Sequence, residues 1–231
     1  MPLGALKYAL LLLAVVLLGL TPDVLAHDVD ENTRQFVGQN SGVQFIPFLY
    51  IGAKHMVTGY DHLLFLIGVI FFLYRPREVL LYVTMFTIGH SVTLLFGVLN
   101  SVQINAFLID AIIGLSVIYK GFDNLGGFKR FFGVQPNTMW AVLIFGLFHG
   151  FGLASKLQEL AANNDGLLAN LVAFNIGVEL GQFAALGIIL IVINFWRKLP
   201  SFERFSLLTN TALMSAGFML MGYQLTGYFV N

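Results

Sequence analysis

The sequence predicts an all-α, polytopic membrane protein. Six transmembrane helices fill residues 47–231, behind a signal peptide at 1–26 and a short extracytoplasmic arm at 27–46. Three observations carry this reading. Of the 231 residues, 58% are hydrophobic and 10% charged, against about 25% charged in a soluble domain whose surface must face water. Mean hydropathy is +0.82. Apolar stretches near the length of a bilayer crossing, about 20 residues, recur along the chain between charged, Gly- or Pro-bearing stops. The formal net charge is 0 and no basic patch is large enough for nucleic acid. The chain has no Cys, which excludes disulfides and thiolate ligands.

The first element is a targeting segment. Lys7 precedes the apolar run Tyr8 to Leu20, and Thr21-Pro22-Asp23 breaks it. Val24-Leu25-Ala26 supplies small residues at the minus-three and minus-one positions, so cleavage is expected after Ala26. The apolar run has 13 residues, too few for a crossing. The mature chain then starts at His27, followed by an acidic-leaning arm with Asp28, Asp30 and Glu31. A free amine beside the His27 imidazole is a candidate for capturing copper or nickel at the outer mouth.

The six spans are expected near 47–73, 79–99, 104–120, 138–157, 168–195 and 206–229. Arg75-Pro76-Arg77-Glu78, Gly126-Gly127-Phe128-Lys129-Arg130 and Arg197-Lys198-Leu199-Pro200 are the clearest stops. One side of this layout collects eight cations: Arg75, Arg77, Lys120, Lys129, Arg130, Arg197, Lys198 and Arg204. The other collects three: Arg34, Lys54 and Lys156. Cationic loops stay in the cytoplasm, so both ends of the mature chain are expected outside a bacterial inner membrane. Gly146 with Gly150, and Gly177 with Gly181, are spaced as small-residue faces for close helix packing. The 23 Phe are absorbed by lipid-facing and core positions.

Polar residues inside the spans are the functional candidates, because ionisable groups in a bilayer are costly unless they face one another. The first span carries His55, Asp61 and His62, with the two His seven apart on one helical face. His90 follows in the second, with Thr87 and Ser91 as local hydrogen-bond partners. Asp110 opens the third, where an interfacial position is as good a reading as a functional one. His149 lies in the fourth. Asn175 and Glu179 share a face of the fifth, with Gln182 close by. The up-and-down layout brings these groups to compatible depths. Several imidazoles with a carboxylate suit a divalent ion such as nickel, cobalt or zinc, and Asp61 is placed to orient a ligating His. The expected metal set is His55, Asp61, His62, His90, His149 and Glu179.

At these residues the chain resembles the HupE/UreJ family of hydrogenase and urease accessory membrane proteins, in its second branch. The likeness rests on His55, five residues, then Asp61-His62, and on GYDHLLFL, TMFTIGHSVTLL, FGLFHGFGLA and FNIGVELGQ around them. The resemblance implies a nickel or cobalt permease of six helices behind a signal peptide. It ties His55, Asp61 and His62 to metal handling and matches His149 to the first His of a later motif. That motif reads Phe-His-Gly-x-Ala-His-Gly-x-Glu in the nickel-permease branch. Here Gly152, Leu153, Ala154 and Lys156 stand at the Ala, second His, Gly and Glu positions.

Two functional classes follow. The first is a permease or delivery protein for a divalent transition metal, with the bilayer, the ion and metalloenzyme maturation proteins as partners. The second is an intramembrane zinc hydrolase, with Asp61 or Glu179 as base and Ser91 polarising a carbonyl. No nucleotide-binding loop of the G-x-x-x-x-G-K-[ST] kind occurs, so the chain itself supplies no ATP-driven step.

Overall fold

A computed structural model describes residues 42–161 and 166–230. The expected signal peptide, His27 and the arm as far as residue 41 lie outside the described residues. Within them all regular structure is helical: α1 (Phe45–Thr58), α2 (Tyr60–Ile70), α3 (Pro76–Leu99), α4 (Ala106–Asn124), α5 (Thr138–Ala161), α6 (Leu167–Arg197) and α7 (Ser201–Val230). A short π-helical turn, Phe128–Phe132, follows α4 and closes at Gly133, whose φ of 71° suits glycine.

Local chemistry fixes several boundaries. Pro76 starts α3 where a missing N–H costs nothing, with Glu78 in the same first turn. The Asn105 side chain accepts from Leu108 N (3.3 Å) and caps α4. The far end of α2 is closed by a distant side chain. Arg197 Nη2 donates to the carbonyls of Ile70 (2.6 Å) and Phe71 (2.7 Å), and its guanidinium lies 4.4 Å from the Tyr74 ring. A cation on the last carbonyls of a helix complements its dipole.

The bundle is assembled from three glycine-faced helix pairs. Between α1 and α6, a Cβ at Gly52, Gly177 or Gly181 would run into the backbone of Phe174, Leu49 or Ala53. Between α3 and α5, Gly89, Gly146 and Gly150 press on Leu143, Phe86 and His90. Between α4 and α7, Gly114 and Gly217 meet Met221 and Ile118. The expected small-residue faces at Gly146/Gly150 and Gly177/Gly181 are therefore contacts. In an apolar solvent such faces let backbones approach and gain dispersion energy where the hydrophobic effect gives none.

The short α2 lies in the middle and touches α1, α3, α4, α6 and α7. A helix of 11 residues is too short to cross a bilayer alone, and this position surrounds it with protein. The 47–73 stretch, expected as one span, is divided at Gly59. Four helices, α3, α5, α6 and α7, are each long and apolar enough to cross a membrane. The pieces α1 and α2 are individually too short, and α4 carries Asp110, Lys120 and Asp123. Lys120, expected in a loop, is instead inside α4 and buried. Its Nζ lies 2.5 Å from Asp123 Oδ2, and Gln135 Nε2 donates to Asp123 Oδ1 (2.6 Å). The helix runs on to Asn124, whose amide donates to Gly68 O and Asn210 Oδ1 (2.8 Å each), tying α4 to α2 and α7.

Candidate functional site

The site is built around the break between α1 and α2. Gly59, at φ −75° and ψ 89°, leaves helical geometry while its N–H still donates to His55 O (2.8 Å). Asp61 and His62 therefore open a new helix directly after the interruption. Asp61 Oδ1 accepts from His62 N (2.8 Å) and from His62 Nδ1 (2.9 Å). An ionised carboxylate can only accept, so Nδ1 carries the proton and the Nε2 lone pair points away from Asp61.

Four helices deliver one imidazole each to this point. The His62 ring centre lies 4.7 Å from that of His149 on α5, 5.2 Å from His55 on α1 and 6.1 Å from His90 on α3. His62 is the hub. It is fully buried, as are His90 and His149, while His55 is half-buried. His149 Nδ1 donates to Phe145 O (2.7 Å), which fixes the same tautomer as in His62. Two of the four rings are thus oriented by acceptors in the way that metal-binding imidazoles are. The rings meet edge to face, at 63° to 80°. Among the described residues, no three His, Asp or Glu side chains converge closely enough to hold an ion.

The α3–α5 contact sets the spacing of His90 and His149. Thr93 Oγ1 donates to Leu147 O (2.7 Å) across the pair, beside Gly150. Thr87 Oγ1 donates to Gln182 Oε1 (3.0 Å), joining α3 to α6.

The remaining candidates sit on α4 and α6. Asp110 is buried on α4 and accepts from Gln224 Nε2 of α7 (3.4 Å). Asn175 donates to Leu171 O within α6 (2.9 Å). Glu179 sits on the exposed side of α6. Sequence reasoning missed the Gly59 break and the phenyl rings around the imidazoles. Phe86 stacks on His90 at 25° and meets His149 edge-on at 4.9 Å. The signals were present: a Gly directly before Tyr-Asp-His, and a Phe one turn from each of three His.

The described chain matches no curated protein and no solved structure. The family model described as HupE / UreJ protein matches residues 31–231.

Proposed function

The chain belongs to the HupE/UreJ protein family, and from that membership we propose that it is a permease or delivery protein for a divalent transition metal, nickel or cobalt. The family is linked to handling of these metals for hydrogenase and urease maturation. The observation that carries the reading is the meeting of four imidazoles from four helices around His62, with Asp61 on its Nδ1. Imidazole is a borderline ligand that suits nickel, cobalt and zinc better than magnesium or calcium.

In this reading the ion sheds water at the cluster, takes Nε2 of His62 and His149, and is completed by His55 or His90. A resting arrangement of rings packed on one another suits transient binding, since a permease must release what it holds. Asp61 keeps His62 in the ligating tautomer and raises its basicity. We place the protein in a bacterial inner membrane, with α1–α7 as six crossings, the first of them broken, and both ends of the mature chain outside. The cationic segments at 75–78, 129–130 and 197–204 then face the cytoplasm.

The test is uptake of labelled nickel, cobalt and zinc by cells producing the protein, with metal content measured after purification. His62→Ala and His149→Ala should each abolish uptake of the transported ion. About one zinc retained per chain without uptake would instead point to a hydrolytic centre. Uptake untouched by both substitutions would remove the cluster from the transport path.

A further inference from the structure

We propose that Phe65, Phe86 and Phe145 form an aromatic floor that closes one side of the imidazole cluster and is the barrier a cargo ion must cross. The proposal rests on the reading of the cluster as the binding stage of a permease.

Each phenyl stands about one helical turn from an imidazole. Phe65 is three residues after His62 on α2, Phe86 is four before His90 on α3, and Phe145 is four before His149 on α5. The chain direction makes these displacements agree. The contacts of α3 with α5 advance together, Phe86 at Gly146, His90 at Gly150 and Gly97 at Ala154, so these two helices are parallel. Those of α2 with α3 run in opposite senses, His62 to His90 and Phe65 to Phe86. All three phenyls are therefore displaced toward the same end of the bundle, the one holding the α2–α3 turn.

There the rings touch. Phe65 lies 5.7 Å from Phe86 and 5.6 Å from Phe145, and Phe65 and Phe86 are 1% and 0% exposed. They also close on the imidazoles, Phe86 at 4.9 Å and Phe65 at 5.9 Å from His149. Phe145 also meets Tyr119 (5.3 Å), the residue before Lys120. The buried Lys120–Asp123 pair and its Gln135 follow. One turn beyond the phenyls toward that end, each of the three helices carries a further buried apolar side chain, Val69, Val83 and Val142.

A single Phe at helical spacing is ordinary core. Three at one level, one on each helix that carries a fully buried imidazole, make a septum. A phenyl edge offers a partly dehydrated cation no ligand, and apolar constrictions gate by excluding water.

The experiment uses the full chain in liposomes, with Co2+ outside and a Co2+-sensitive dye trapped inside. The visible absorption of bound Co2+ is read in parallel. Phe145 is the half-buried member and tolerates change best. Phe145→Ala should speed Co2+ entry by about tenfold or more, the factor that ~1.4 kcal/mol off a barrier gives. Phe145→Trp should slow it, and both should keep the Co2+ spectrum. A merely structural role moves both variants the same way, so two slower variants, or two unchanged ones, overturn the floor. Should Phe145→Ala lose the spectrum, Phe86→Leu repeats the test with a smaller loss of volume. If wild-type chain takes up no Co2+, it is the permease reading that fails. The floor is then judged by proton leak, where Phe145→Ala no leakier than wild type overturns it.

Discussion

A Cβ placed on Gly59 would fall 2.8 Å from His62 Nδ1 and 3.3 Å from Asp61 Oδ1. The glycine that separates α1 from α2 therefore also makes room for the histidine–carboxylate pair that follows it. Gly59→Ala separates these two effects. Gly59 sits at a non-helical ψ of 89°, where alanine's preference for helix over glycine, about 1 kcal/mol, does nothing for the native state. The new Cβ meets His55 O at 3.1 Å, so the variant should fold with a slightly lower melting temperature. Its methyl displaces the His62 ring, and uptake of the transported metal should drop to background. Full uptake by a folded Gly59→Ala protein would show that the break and the pair are independent.

Asp61 acts on His62 through one hydrogen-bonded edge of the ring. Asp61→Asn keeps an acceptor of the same shape but removes the charge. Partners of this kind are worth roughly 10–100-fold in metal affinity, and a loss in that range is expected in an equilibrium Co2+ titration of purified protein. His62→Ala should lose more, since it removes the ligand itself. Equal affinities for Asp61→Asn and wild type would confine Asp61 to helix capping.

Much of this was legible in the sequence. The apolar stretches were visible because the bilayer leaves few ways to hide a charge, and the paired glycines because close helix contact demands them. The gathering of His55, His62, His90 and His149 could be read because buried imidazoles on separate helices gain by meeting. The break at Gly59 is harder to read, since the polar residues around it, Lys54, His55, Asp61 and His62, read equally well as site groups within one continuous span. Lys120 reads as a loop residue for a related reason. A cation at the end of an apolar run looks like a stop until its partner, Asp123 three residues on, is seen to share its burial. The phenyls around the rings were lost among 23 Phe, where residue type alone carries no position.

Glu179 separates the ring cluster from the wider set of polar candidates. It lies on the exposed side of α6, whereas His149 is fully buried against His62. Glu179→Gln should leave Co2+ affinity within about twofold, the scatter expected for a change away from the ligands. His149→Ala should reduce it by at least about tenfold, or ~1.4 kcal/mol. A large loss in Glu179→Gln would bring the carboxylate into the ligand set.

Thr93 and Gly150 hold α3 and α5 at the distance that lets His90 and His149 share the cluster. Thr93→Val removes the hydrogen bond to Leu147 O, worth about 0.6 kcal/mol on average between membrane helices. It should lower the melting temperature slightly and leave metal binding nearly intact. Gly150→Ala pushes a methyl into the His90 carbonyl and the Thr93 hydroxyl, an overpacking that costs roughly 1–3 kcal/mol. It should weaken Co2+ binding as well as stability, because the helices that part are those carrying the ligands. Gly150→Ala with wild-type affinity would mean that the cluster tolerates a wider α3–α5 spacing than its geometry implies.

The Lys120–Asp123 pair allows a test by double substitution. Both side chains are more than nine-tenths buried and 2.5 Å apart. Removing one partner of a buried pair strands the other charge and typically costs about 3–5 kcal/mol. Asp123→Asn is therefore expected to lower the melting temperature strongly, with Lys120→Met close behind, because Asp123 keeps the Gln135 amide (2.6 Å) when the lysine is gone. The double variant Lys120→Met, Asp123→Leu strands no charge, and apolar replacement of a buried pair is often neutral or stabilising. It should recover most of the lost stability. If it also transports metal at the wild-type rate, the pair serves only the packing of α4. If it is stable but slow, these charges take part in moving the ion beyond the phenyl layer. A double variant as unstable as Asp123→Asn would show that the stranded charge is not the source of the loss.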